Sequence, residues 1–157
     1  MGQKVNPFGF RLGYIKKWHS SWYSKDKYPE TLHEDLSIRK YIEKNMKNSS
    51  VSKTEISRTS DQTKVTVHTA KPGVAIGKKG AGIEKIRKDL SKMIKGNLIF
   101  NISEVKRPDS DAKLIAENIA QQLEKRVAYR RAMKRAMQGT MRLGAKGIKV
   151  CVSGRLA

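Results

Sequence analysis

The stretch AIGKKGAGIEKIRK, residues 75–88, sets two lysines between two glycines just ahead of a helical pattern. Glycine-rich turns at a helix start suit anions, because free backbone N–H groups point outward and the helix dipole favours negative charge. A nucleoside triphosphate loop requires Gly, four residues, then Gly-Lys-Ser/Thr. Here only three residues separate Gly73 from Gly77, and Lys79 stands where the hydroxyl is needed. The dinucleotide fingerprint also fails, because Lys85 occupies the position of its third glycine. The pattern that fits is Gly-x-x-Gly, here Gly77-Lys78-Lys79-Gly80. In a KH module such a loop clamps about four nucleotides. Glycine at Gly77 and Gly80 lets the backbone approach a phosphodiester chain closely, and Lys78 and Lys79 add charge between them.

A second constellation is KRVAYRRAMKRAMQGTMRLGAKG, residues 125–147. From Lys125 onward ten residues are Lys or Arg and none is acidic. At about 100° per residue, Tyr129, Ala132, Met133, Ala136, Thr140 and Leu143 share one side of a helix. Arg126, Arg130, Arg131, Lys134, Arg135 and Arg142 share the other, with Lys146 in the turn beyond. A charge run is often a solvated face, but such faces normally mix signs. An unrelieved cationic face repels itself unless a polyanion covers it, so these seven side chains and the loop are the candidate RNA-binding residues. The opposite face is mostly Ala and Met, without the bulky wedge a membrane-surface helix uses.

Nothing else in the chain is arranged for chemistry. No paired acids or Ser/His/Asp set emerges, and His19, His33 and His68 lack metal-ligand spacing. Cys151 is the single cysteine, which excludes an internal disulfide and a cysteine zinc site. No catalytic residue, cofactor or metal is therefore expected. The enzyme alternative would be a lysine-dependent lyase acting on nucleic acid.

The elements that must position these groups are legible as alternation and periodicity. Thr31-Leu32-His33-Glu34 fits a capping box opening a first helix that runs to about residue 48. VSKTEISR and KVTVHTA read as two strands turning at Ser60-Asp61-Gln62. Pro72-Gly73 stops the second strand, and one short helical turn precedes the loop. After Gly80, Ile83, Ile86, Leu90, Met93 and Ile94 form one apolar stripe, closed by Gly96-Asn97. LIFNISEV is a third strand, and Pro108-Asp109-Ser110-Asp111 marks a boundary and a helix N-cap. Ala112, Ile115, Ala116, Ile119, Ala120, Leu123 and Val127 carry the next helix, and 129–143 the basic one. IKVCVSG, residues 148–154, is expected as a last strand. The first thirty residues read as an arm. Its aromatics, Phe8, Phe10, Tyr14, Trp18, Trp22 and Tyr23, are expected mainly to pack on the domain, with base stacking as the alternative.

The charge balance sets the partner class. Lys and Arg total 34 against 14 acids in 157 residues, a net charge of +20. The cations are interspersed with regularly spaced apolar residues, which indicates a folded basic protein rather than a disordered tail. No run of 18 apolar residues is present, so no membrane partner is expected.

Four ordered stretches resemble one known family: GQKVNPFGFRLG (2–13), HTAKPGVAIGKKG (68–80), YRRAMKRAMQ (129–138) and MRLGAKGIKVCVSGRL (141–156). The chain resembles the bacterial-type small-subunit ribosomal protein S-three family. The resemblance implies an α+β fold: an arm (1–30), a type II KH domain (31–107; helix, strand, strand, helix, helix, strand), and part of a second α/β domain (108–157; two helices and one strand). It implies a cytoplasmic ribosomal protein in the head of the small subunit, bound to ribosomal RNA beside proteins S-ten and S-fourteen. It also implies a place at the messenger-RNA entry channel opposite S-four and S-five, where residues matching Arg130, Arg131 and Lys134 handle and unwind message. The family's chain continues with further strands beyond the point matching Ala157, so the second domain is expected to be incomplete. A free KH regulator of messenger or small RNA is the alternative function.

Overall fold

The structure is a computed structural model that describes residues 2–77, 80–94 and 96–156. A two-residue strand, β1 (Ser20–Ser21), precedes helix α1 (Tyr28–Asn45). Strands β2 (Val51–Arg58) and β3 (Gln62–Thr69) follow, then the short α2 (Pro72–Ile76), α3 (Ala81–Met93) and β4 (Asn97–Glu104). Helices α4 (Ala112–Glu124) and α5 (Tyr129–Arg142) complete the elements.

The sheet order is β1-β2-β3-β4. β2 and β3 pair antiparallel through the expected turn, whereas β4 lies parallel to β3, from Gln62 opposite Asn97 to Thr69 opposite Glu104. A parallel partner demands a crossover, and α2, the loop and α3 supply it. One sheet face and the helices over it form the core: Ile56, Val65, Val67 and Leu98 meet Ile38, Ile42, Ala75, Ile86, Leu90 and Ile94. The alternation of period two places Glu55, Ser57, Lys64 and Thr66 on the other, open face.

α1 begins at Tyr28, three residues before the expected cap. Pro29 occupies the first turn, where its fixed φ and missing N–H are harmless, and the Thr31 amide already donates to Lys27 O at 3.1 Å. The capping box therefore does not form, and Glu34 instead accepts from Arg58 Nη1 at 3.0 Å.

Asp35 is the polar centre of the first unit. It is 1% exposed, and Arg58 Nε and Nη2 donate to its Oδ1 at 2.9 and 2.7 Å. Ser20 Oγ and Trp22 Nε1 donate to Oδ2 at 2.9 and 2.8 Å. Arg39 adds bonds to Thr54 O, His19 O and Ser20 Oγ. Together they tie the arm to α1 and β2. His19 stacks on Phe8 with ring centroids 4.5 Å apart. Burial first, then the charge of Arg39, holds the His19 imidazole below its ordinary pKa. Tyr41 Oη donates to Asp89 at 2.6 Å, joining α1 to α3, and that bond with burial pushes the phenol pKa up to about 12.

Asp111 caps α4 as expected, accepting from Lys113 N at 2.9 Å and Leu114 N at 3.4 Å. It also accepts from Ser52 Oγ, which links α4 to β2. Leu114, outside the expected stripe, is buried as a result, together with Ile119. The expected strand at 148–154 is not formed. A strand exists only through a neighbour's N–H and C=O groups, and none lies beside this segment among the described residues. Ile148, Val150 and Val152 instead line an apolar groove of about 670 Å³ with Ile115 and Leu123 of α4.

Replacing Asp35 by Ala leaves the Arg58 guanidinium, the Trp22 indole and Ser20 without their shared acceptor. Breaking a buried pair this way costs about 3–5 kcal/mol. Urea unfolding of Asp35→Ala is expected to show that loss, with the arm cut by protease before the rest of the chain.

Candidate nucleic-acid interface

α2 ends at Gly77, whose amide donates to Gly73 O at 3.1 Å. Gly77 has φ 74° and ψ 178°, and Gly80 has φ 79° and ψ 2°. Both are positive-φ conformations that a side chain disfavours, which accounts for the two glycines of the motif. Lys78 and Lys79 lie outside the described residues. Gly82 is a third requirement the spacing did not reveal. A Cβ there would stand 3.0 Å from Ile76 O and 3.1 Å from Ala75 O, so α3 can start against the end of α2 only without one. Gly80 caps α3 without any side-chain bond, leaving the first amides of a thirteen-residue helix unclaimed by a cap. Glu84 shares that first turn and partly opposes its positive end. Val74 and Ile76 flank the loop 55% and 39% exposed, while Ala75 between them is buried. Two positive-φ glycines, an uncapped helix start and an exposed apolar flank are the features found here among the described residues.

The second cluster lies on α5. Ala132 and Thr140 are buried, and Thr140 Oγ1 donates to Ala136 O at 3.0 Å. Leu143, expected on the packed side, is 45% exposed because the helix ends at Arg142 and the chain turns away through Gly144. Arg126, Arg130, Arg131, Lys134, Arg135, Arg142 and Lys146 are all solvent-accessible. Among the described residues, no carboxylate lies within ion-pair distance of any of them. Arg130 sits 5.6 Å from the centroid of the Tyr129 ring and donates from Nε to its hydroxyl at 3.1 Å. That contact stiffens one side chain of an otherwise free cationic face.

Arg126 has a backbone no sequence pattern signalled. Its φ is +59°. Its amide donates to Leu123 O at 2.8 Å and that of Val127 to Gln122 O at 3.0 Å. These are the two bonds that close a helix in the Schellman manner, where glycine is the usual residue. This arginine lies in the turn between α4 and α5, in a left-handed conformation that costs a non-glycine residue backbone strain.

Of the six aromatics from Phe8 to Tyr23, Trp22 packs on Tyr28 and Phe8 on His19. Phe10, Tyr14, Trp18 and Tyr23 are 76%, 96%, 69% and 89% exposed. Packing on the domain therefore does not describe these four.

A strand-strand-loop-helix-strand frame around Gly-x-x-Gly, followed by an unpaired basic helix, defines an RNA-binding protein of the KH class. Comparison agrees over both parts: residues 37–110 match the KH domain family model, and 119–157 match that of the ribosomal protein S3 C-terminal domain. The chain is 54% identical to small ribosomal subunit protein uS3 of Myxococcus xanthus, over 99% of this chain and 71% of that one. Against uS3 of Acetivibrio thermocellus it is 56% identical, over 100% of this chain and 70% of the other. For Listeria monocytogenes uS3 the figures are 54%, 99% and 72%. The chain belongs to the family of small ribosomal subunit protein uS3, whose members are structural rather than catalytic.

Replacing Arg126 by Gly relieves the left-handed strain. The variant is expected to gain up to about 1 kcal/mol of stability in urea unfolding while binding RNA more weakly. A gain in stability with unchanged RNA affinity would show that the arginine is not there for its charge.

Proposed function

We propose that this chain is a structural constituent of the head of the small ribosomal subunit. It binds ribosomal RNA and lines the messenger-RNA entry channel, where it helps to hold and open incoming message. The observation that carries the reading is the set of seven solvent-accessible cations from Arg126 to Lys146, five of them on α5, with no carboxylate within ion-pair distance among the described residues. Such a set is unfavourable in isolation and complementary to a phosphate backbone. We assign the arm to 1–30, the KH unit to 31–107 and the unit bearing the basic helix to 108–157. Ribosomal proteins S-ten and S-fourteen are the proposed neighbours in the head, with S-four and S-five across the channel.

The mechanism needs no nucleotide motor. Arg130, Arg131 and Lys134 hold backbone phosphates of the incoming strand at fixed positions. Translocation supplies the work, and a duplex drawn past that row is separated because one strand stays with the cations. Gly77 to Gly80 clamps a further stretch of backbone, with Lys78 and Lys79 as its charges.

Changing Arg130, Arg131 and Lys134 together to Ala is expected to slow translation through message hairpins more than through unstructured message. Equal slowing on both, measured by synthesis rates on matched templates, would contradict the unwinding role. Changing Lys78 and Lys79 to Ala is expected to weaken single-stranded RNA binding without altering urea unfolding. It should also lower the slope of log affinity against log salt by about 1.4, roughly 0.7 for each single-strand phosphate that the variant no longer neutralises. An unchanged slope would mean the loop is not a clamp.

A further inference from the structure

The four bare aromatic rings of the arm lie on a fixed frame. Asn6 Oδ1 accepts from the amides of Phe8 and Gly9 at 2.9 and 3.2 Å. Arg11 Nη1 donates to Pro7 O, and the Ile56 amide to His19 O at 2.9 Å. Beyond His19 the chain is locked onto Asp35 through Ser20 and Trp22. Rings held on such a frame and left in water forgo the burial that normally stabilises them.

The setting names the chemistry of the partner. Phe10, Tyr14 and Trp18 recur every four residues, with Arg11, Lys16 and Lys17 between them. Trp18, Lys16 and Lys17 line a groove of about 470 Å³ with Lys64 and Thr66 of the open sheet face. That face is turned away from the core side of the sheet, where α2 and α3 pack, so the groove is separate from Gly77 and Gly80. Glu55 is the single acid of its lining, and it is already paired with Lys53 at 2.6 Å and His68 at 3.3 Å. An acidic protein would be matched by the lysines, but the alternation of rings with lysines along the arm favours a partner that alternates in the same way. A chain that alternates flat bases with phosphates uses both.

We propose that the arm and the open face of β2 and β3 form a second single-stranded RNA site. In it unpaired bases stack on Trp18 and Tyr14, while Lys16, Lys17 and Lys64 hold the adjoining phosphates. This site rests on the reading of the chain as an RNA-binding ribosomal constituent, and adds base stacking to contacts that are otherwise made to the backbone.

The full chain has two tryptophans, so Trp22→Phe leaves Trp18 as the only one; because it also removes one donor to Asp35, it is used once its urea unfolding and the protease resistance of its arm match the native chain's. That variant is titrated with a uridine oligonucleotide about twelve nucleotides long and with polyphosphate of equal charge. The oligonucleotide is expected to quench Trp18 fluorescence, and polyphosphate to bind without quenching. In the otherwise native chain, Tyr14→Ala with Trp18→Ala should weaken oligonucleotide binding about tenfold or more and leave polyphosphate binding and urea unfolding unchanged. Binding without quenching, with affinity unchanged in the double variant, would overturn the stacking site and leave the backbone contacts of the KH loop and basic helix standing. Trp18 unquenched by RNA but shielded in assembled small subunits would give the surface to a protein neighbour and equally overturn it. Failure of both polyanions to bind would remove the RNA reading itself.

Discussion

Thirty-four cations share this chain with fourteen acids, and the acids with defined partners serve the fold. Asp35 and Glu34 hold Arg58, Asp89 accepts from Tyr41, and Glu55 binds Lys53 and His68. Asp111 caps α4, and Glu43 reaches Lys113 at 3.7 Å. None of these is available to the basic helix, and no acid follows Glu124 in the sequence. The charge left over must be met from outside, which makes a polyanion part of the conditions under which this surface is stable. Architecture and function meet at that point: the same distribution of carboxylates that secures the first unit leaves α5 bare.

Two close approaches shape the rest. Where α3 meets α2, the missing side chain of Gly82 lets the helix start against the carbonyl groups of Ala75 and Ile76. At Asp35, one carboxylate gathers donors from β1, β2 and the residue after β1, converting the arm from a tail into an ordered edge. The first joins α2 to α3 at the Gly-x-x-Gly motif and the second carries the exposed rings. Both are local solutions to packing that happen to present groups of use to a nucleic acid.

The order of the KH elements is legible in the sequence because it rests on periodicity: alternation in β2 and β3, and the stripe Ile83, Ile86, Leu90 in α3. The need for Gly77 and Gly80 follows from spacing alone, and both take positive φ. What the sequence hides depends on contacts distant along the chain. The partners of Asp35 lie 13 to 23 residues away, and no pattern links them. The start of α1 departs from expectation because Thr31-x-x-Glu34 imitates a cap that Pro29 pre-empts. The segment 148–154 has the alternation of a strand, but alternation supplies no hydrogen-bond partner. The exposure of Phe10, Tyr14, Trp18 and Tyr23 and the strained φ of Arg126 are likewise properties of the folded chain only.

The central claim is that this protein resides on small-subunit RNA through charge. Sedimentation of cell lysate through gradients of rising salt tests it most directly, because backbone contacts release counterions and weaken steeply with ionic strength. The account predicts one copy per small subunit at low salt and progressive release as salt increases. A free pool at low salt, sedimenting apart from the subunits as a KH regulator of other RNAs would, contradicts it.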